Sequence, residues 1–517
     1  MRKLLRLPRF IFLLYIVPCL AQESQVNQEI IQKIRDEGLH HSQVMQIAHY
    51  LTDESGPRLT NSPGFKRAAD WAVTRLKSWG LKAGLEAWGD FGPGWESEKC
   101  YVAMKSPYYH PLIAYPLAWT KGTAGLVKAD VVMIESLSVE SVKKHGASLK
   151  GKIVLPRQND TTLRSAFEAY ATRYGQGQLD SLKDSNMITA DELNAMMSYI
   201  NGLRDAIRLL QKIGSLGVLN MSSFGRDGTV DVSGWFSGKK ENLTDLMALN
   251  LATEDYLCIQ RLLEAGTPVK LELDLKSKMI VNDNKGYNVI GEIPGTDPSL
   301  KSELVMIGGH LDSWHSATGA TDNGAGCAVM MEAIRILQAL QLHLKRTIRI
   351  ALWSGEEQGL LGSHAYVKKH FGDPTNMKLL PEQSKISAYY NLDNGSGRIR
   401  GIYLQGNKEV LPVFKEWLQP FSDLDATTLT LCNTGSTDHL SFDAVGIPGF
   451  QFIQDPMEYE TRTHHTNMDS YDHLFPEDLK QAATIVAALV YETAMRQEKL
   501  PRKPLPATQP WIFDLFK

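Results

Sequence analysis

Three apolar runs in the C-terminal half of this 517-residue chain end on an acid or a histidine, and this placement narrows the fold more than any other feature. Glu303–Gly309 (ELVMIGG) runs into His310, Thr347–Ser354 (TIRIALWS) into Glu356, and Ile386–Leu392 (ISAYYNL) into Asp393. Near-continuous hydrophobic strands separated by helical patterns belong to a mostly parallel sheet buried on both faces by helices. Open α/β sheets carry their active sites at the carboxyl ends of the strands, which is where these polar residues fall. The expected fold class is therefore α/β, a mostly parallel central sheet flanked by helices.

The polar residues form a sequence of short motifs: His310-Leu-Asp312, Thr321-Asp322-Asn323-Gly-Ala-Gly326, Trp353-Ser-Gly-Glu356-Glu357-Gln358, Asn391-Leu-Asp393 and His464-His465-Thr-Asn-Met-Asp469. Two imidazoles and three or four carboxylates are a typical ligand set for a pair of zinc ions. Adjacent residues at a strand end point in opposite directions, so one of Glu356 and Glu357 can bind metal while the other faces substrate. Asp312 stands two residues after His310 and is expected to accept from its imidazole N–H, as Asp469 is for His465. Gly324 and Gly326 open a helix where close packing against the sheet leaves no room for side chains. Cys327, inside that helix, reads as a small packing residue. His315, His343, His364 and His370 read as surface or helix-face histidines.

Taken in this order, H-x-D, D-N-G-A-G, G-E-E-Q-G, N-x-D and H-T-x-x-D resemble the co-catalytic two-zinc exopeptidases, a family that includes bacterial leucyl aminopeptidases and glutamate carboxypeptidases. The resemblance covers about residues 280–495 strongly and 40–118 more loosely, and is nearest to the carboxypeptidase Q branch. It implies two Zn2+ per chain, with Asp322 bridging, His310 and Asp393 completing one ion, and Glu357 and His465 completing the other. It leaves Glu356 as the general base, beside the metals but not on them. Many relatives carry tyrosine where this chain has His464, so His464 is a candidate catalytic group. The four-residue step from His465 to Asp469 fits the family better than a count from His464. The implied reaction is hydrolysis of short peptides by a metal-bridged hydroxide, as a carboxypeptidase or dipeptidase, or as an aminopeptidase using the same site. A glutaminyl-cyclase-type enzyme and a non-catalytic receptor on this fold are disfavoured by the G-E-E-Q-G motif and the filled ligand positions.

The ends and the charge bound the remaining functions. Arg2, Lys3, Arg6 and Arg9 precede the apolar stretch Phe10–Leu20 and the small residue Ala21, which reads as a signal peptide of residues 1–21 for a secreted or periplasmic protein. That stretch is too short to span a bilayer comfortably, and no lipid anchor is expected. Loss of those four basic side chains takes the formal charge from −3 to −7, which gives no footprint for nucleic acid. The four cysteines beyond residue 21 name no disulfide pair by their spacing. Residues 22–118 and 279–500 are expected to form the catalytic domain, with residues 85–118 supplying some of its short strands. Residues 119–278 form an inserted α+β unit that resembles a protease-associated domain, and 501–517 a tail carrying Trp511, Phe513 and Phe516. Oligomeric state is left open, with a homodimer allowed.

Overall fold

A computed structural model describes residues 26–159, 168–185, 187–224, 226–234 and 246–508. The signal peptide and the three tail aromatics lie outside the described residues. The main sheet has eight strands, in the spatial order Lys82–Asp90, Lys285–Ile293, Thr347–Trp353, Leu304–His310, Ile386–Asn391, Gly449–Gln454, Ile399–Tyr403 and Thr428–Thr430. The central four run parallel. Antiparallel pairings flank them on both sides.

The three apolar runs lack a clean polar alternation because both faces of their strands are covered. Val305 and Ile307, Ile348 and Ile350, and Ala388 and Tyr390 point into one core. Leu304 and Met306, Ala351 and Trp353, and Ile386 and Tyr389 point into the core on the opposite face. The first core lies beneath helices Gln28–His40, Val44–Leu51, Pro63–Ser78, Ala325–Ala339 and Pro476–Met495. Helices Leu361–His370 and His439–Asp443 cover the second. Pro476–Met495 begins with a proline whose missing N–H costs nothing at a helix start.

A second eight-stranded sheet is built from Gly94–Ser106, His110–Pro111, Ala114–Pro116, Val127–Ile134, Ile153–Pro156, Gly217–Met221, Met247–Leu251 and Lys270–Ile280. With helices Val139–His145, Ala190–Ile213 and Thr253–Glu264 it makes a second lobe with its own cores. The lobe begins earlier than expected. Of the strands expected within residues 85–118 for the main sheet, only Lys82–Asp90 joins it. Gly94–Ser106 instead pairs along its length with Lys270–Ile280, and its Val102 and Met104 sit in the second core. Alternation announces a strand but does not name the sheet that strand will join.

Among the described residues no helix is long and apolar enough to cross a membrane. Cys100, Cys258, Cys327 and Cys432 are all free thiols, and Cys327 is buried as a packing residue. His364 is a helix-face histidine, turned inward on helix Leu361–His370, whereas His315 departs from the surface reading. His315 bonds the Pro116 carbonyl at 2.7 Å, and burial pushes its pKa down to about 4.

Candidate metal centre

Parallel strands place their carboxyl ends along one edge of the main sheet, and five chain segments converge there. His310 is the last residue of its strand, and Asp393 follows the neighbouring strand by two residues. Glu356 and Glu357 come just after Trp353, beyond a tight turn at Gly355 (φ 69°). Asp322 lies in the turn Ala320–Gly324 ahead of helix Ala325–Ala339. Helix and sheet meet closely here: a Cβ on Gly326 would lie 2.2 Å from the Leu392 carbonyl oxygen. That clash is the packing reason for glycine expected at this position. His464 and His465 follow the turn Tyr459–Thr463.

The Asp322 carboxylate stands between two imidazoles. His310 Nε2 is 3.2 Å from Asp322 Oδ1 and 3.2 Å from Asp393 Oδ1. On the other side, His465 Nε2 is 3.2 Å from Asp322 Oδ2 and 2.9 Å from Glu357 Oε2. The His464 ring lies against His465 with ring centres 3.9 Å apart and planes tilted by 42°, but its Nε2 is farther from Asp322, at 3.7 Å. Glu356 Oε2 lies 3.9 Å from His310 Nε2. Two overlapping donor groups, one of Asp322, His464 and His465 and one of His310, Asp322 and Glu357, are compact enough to hold an ion.

Two supporting acids act differently from expectation. The backbone carbonyl of Asp312, not its carboxylate, bonds His310 Nδ1 at 3.0 Å. Its carboxylate accepts instead from Thr60 Oγ1 at 2.9 Å and from the amides of Glu356 and Glu357 at 3.3 and 3.4 Å. Asp312 therefore fixes the turn that presents both glutamates. Asp469 does not serve His465. Its carboxylate accepts from the Thr321 and Asp322 amides at 2.6 and 3.1 Å, fixing the Asp322 backbone. A two-residue spacing shows that groups are close, but not which atom of a residue faces its neighbour.

Electrostatics at the site follow from crowding acids in a dry space. Burial pushes the Glu356 carboxyl well above the usual range, with Asp393, Asp438 and Glu357 adding repulsion against the pull of His310. Burial also raises Asp312 to about 6, Asp438 to about 7 and Asp469 to about 7. Burial opposes charge on His310, yet Asp393 and Glu356 outweigh it and hold the imidazole well above its ordinary value. Asp322 goes the other way, held well below the carboxylate range by its two histidines despite burial. Arg58, fully buried nearby, is committed to the backbone carbonyls of Leu51, Leu311, Thr318 and Gly319. Glu357 Oε1 is buried with no hydrogen-bond partner among the described residues. Clustered carboxylates with an unsatisfied buried oxygen fit divalent cations, which would supply the missing positive charge.

Three residues missed as parts of the site are Arg58, Thr60 and Asp438. Arg58 and Thr60 sit in the motif Ser55-Gly-Pro-Arg58-Leu59-Thr60, which shows as a turn in the sequence. An arginine directly after a turn proline was the available signal. The centre opens on a cleft of about 1470 Å3 whose walls include Trp314, Glu357 and His465 on one side and Tyr199 and Arg204 of the second lobe on the other. A smaller recess of about 480 Å3 lies beside Asn394, Tyr459 and Glu460.

Residues 288–490, which supply the metal-site cluster, match the profile of peptidase family M28. This segment is a peptidase family M28 match. The chain is 25% identical to mouse carboxypeptidase Q over 520 residues, covering 96% of this chain and all of the relative. It is 32% identical to aminopeptidase YwaD of Bacillus subtilis over 265 residues, 49% of this chain and 55% of the relative. The crystal structure of an M28 peptidase precursor from Shewanella amazonensis superimposes with a TM-score of 0.67 at 26% identity, over 93% of this chain and 99% of that one. A zinc aminopeptidase from Bacillus subtilis shares the fold, with a TM-score of 0.56 at 21% identity over 89% and 98% of the two chains.

Proposed function

We propose that this protein is a two-zinc exopeptidase that hydrolyses short peptides as a carboxypeptidase or dipeptidase. The observation that supports it most is the Asp322 carboxylate, with one oxygen 3.2 Å from each of two imidazoles that have further acids beside them. His310 and Asp393 would hold one ion, Glu357 and His465 the other, and Asp322 would bridge. Bound there, two zinc ions polarise a carbonyl and make a water acidic near neutral pH.

The rest of the chemistry belongs to the chain. Glu356, beside the cluster with its carboxyl pushed up by burial, takes the proton from the water and delivers it to the leaving amine. Asp312 holds the Glu356 and Glu357 amides, so the base keeps its place through both transfers. His464, which replaces the tyrosine of many relatives and lies 3.7 Å from Asp322, would donate a hydrogen bond to the reacting carbonyl oxygen. Tyr199 and Arg204 of the second lobe wall the cleft beside the centre, which suits short substrates better than folded chains.

The end-to-end match to carboxypeptidase Q favours recognition of the substrate's C-terminus over its N-terminus. The aminopeptidase reading uses the same site and rests on the shorter but more identical match to YwaD. A dipeptide panel with free and blocked termini, with and without chelator, separates the two. Cleavage that tolerates a blocked N-terminus and needs a free C-terminus is expected of the carboxypeptidase, and a need for both free ends is expected of the dipeptidase. The opposite tolerance would establish an aminopeptidase, and chelator-insensitive cleavage would refute the metal reading. A secretory N-terminus fits this role, and its cleavage after Ala21 is checked by N-terminal sequencing of exported protein.

A further inference from the structure

His465 sits in a local turn, closed by the Thr466 amide on the Thr463 carbonyl at 3.1 Å, and that turn is tied in addition to the second lobe. The residue's φ is 60°, in the left-handed region that costs a non-glycine residue roughly 1–2 kcal/mol. Its side chain is 35% exposed and reaches Asp322 and Glu357 through Nε2. Beyond the loop's own hydrogen bonds, a second set of contacts comes from outside residues 288–490 and grips the chain on both flanks of the histidine pair.

Downstream, residues 228–232 run antiparallel to residues 465–467. The Val232 amide donates to the His465 carbonyl at 2.9 Å, and the Asn467 amide donates to the Val230 carbonyl at 3.0 Å. The Asn467 side chain closes the contact: Oδ1 accepts from the Val230 amide at 2.7 Å, and Nδ2 donates to the Gly228 carbonyl at 3.1 Å. Val232 also packs with Trp314, whose ring meets His465 edge-on at 6.1 Å. Upstream, Thr172 and Met457 exchange backbone bonds at 2.9 Å each way. Arg173 and the Tyr174 amide hold the buried Asp455 carboxylate at 2.8 and 3.0 Å, and Thr461 Oγ1 donates to the Tyr170 carbonyl at 2.7 Å.

We propose that the second lobe is a structural part of the metal centre, and that Asn467 is a positioning residue clamping the His465 loop to it. This rests on the two-zinc reading and adds to it where the accuracy of the second ion's ligand set comes from. Outer groups that orient a metal ligand typically change metal affinity by about 10- to 100-fold when removed. Asn467 touches none of the proposed ligand side chains, so it would act only through the backbone that carries His465.

The test is zinc titration of the full-length apoprotein against a chromophoric chelator, for wild type, Asn467→Ala, Asn467→Asp and Val142→Ala. Val142 is buried in the second lobe's outer core and makes no contact with this loop, so its variant reports general loosening of the lobe. Wild type should take two zincs. Asn467→Ala should keep one near wild-type affinity and bind the other about 10- to 100-fold more weakly. Asn467→Asp keeps the acceptor for the Val230 amide and should fall between. Val142→Ala should lower the melting temperature and leave both affinities in place. Unchanged zinc binding in Asn467→Ala, or an equal loss in Val142→Ala, would overturn the clamp alone. Wild-type protein that takes up no zinc would overturn the clamp and the two-zinc reading together.

Discussion

Replacing Asp469 with asparagine isolates the backbone support of the central carboxylate. Asp469 is 3% exposed, and its two oxygens meet the amides of Thr321 and Asp322 at 2.6 and 3.1 Å. The Asp469→Asn side chain has nearly the same shape but only one acceptor oxygen, so one backbone N–H would face the new amide's own N–H. Leaving one buried backbone N–H without an acceptor costs about 1–3 kcal/mol. The distortion falls on Asp322, whose two oxygens reach both histidines. At 1.4 kcal/mol per factor of ten, zinc affinity should fall by roughly 10- to 100-fold if most of that energy is expressed in the ligand geometry. Chelator-competition titration of the apoprotein measures this, and circular dichroism establishes that the fold survives. A folded Asp469→Asn protein with wild-type zinc affinity would refute the assignment of Asp469 as the support of Asp322.

Two further outcomes are expected. Glu356→Gln should retain both zincs but lower kcat by about 10²–10⁴, because the amide cannot take the proton; turnover within a few-fold of wild type would remove Glu356 as the base. Glu492, in the closing helix far from the cluster, has its carboxyl raised by burial from 4.5 to about 7. Its folded pKa lies above its unfolded one, so its favourable contribution is present below about 4.5 and is lost as pH rises through 7. Glu492→Gln should therefore stabilise the fold at pH 8 by up to about 3 kcal/mol, seen as a higher melting temperature, and leave it nearly unchanged at pH 4.5. Equal effects at both pH values would point to packing rather than ionisation.

Much of the centre was legible in the sequence because parallel-strand chemistry leaves a linear trace. A fully buried strand needs an unbroken apolar run, and its carboxyl end is where polar residues can gather, so His310, Glu356 and Asp393 announce themselves. The turn-and-glycine motif does the same for Asp322, since Gly326 answers a close approach that any side chain would block. These are local rules, written within ten residues. What the tertiary structure alone decided involves partners far apart along the chain. Gly94–Ser106 joined the second sheet by pairing with Lys270–Ile280, more than 160 residues away. Asp312 turned its carboxylate toward Thr60 and the glutamate amides, leaving its carbonyl for His310. Arg58 was drawn into a cage of carbonyls around the loop that leads to Asp322. The grip of residues 228–232 on the His465 loop spans more than two hundred residues. Hydrophobic patterning fixes which face of an element is buried, but hydrogen-bond direction at a crowded site depends on which donors arrive from elsewhere, and only the folded chain brings them together.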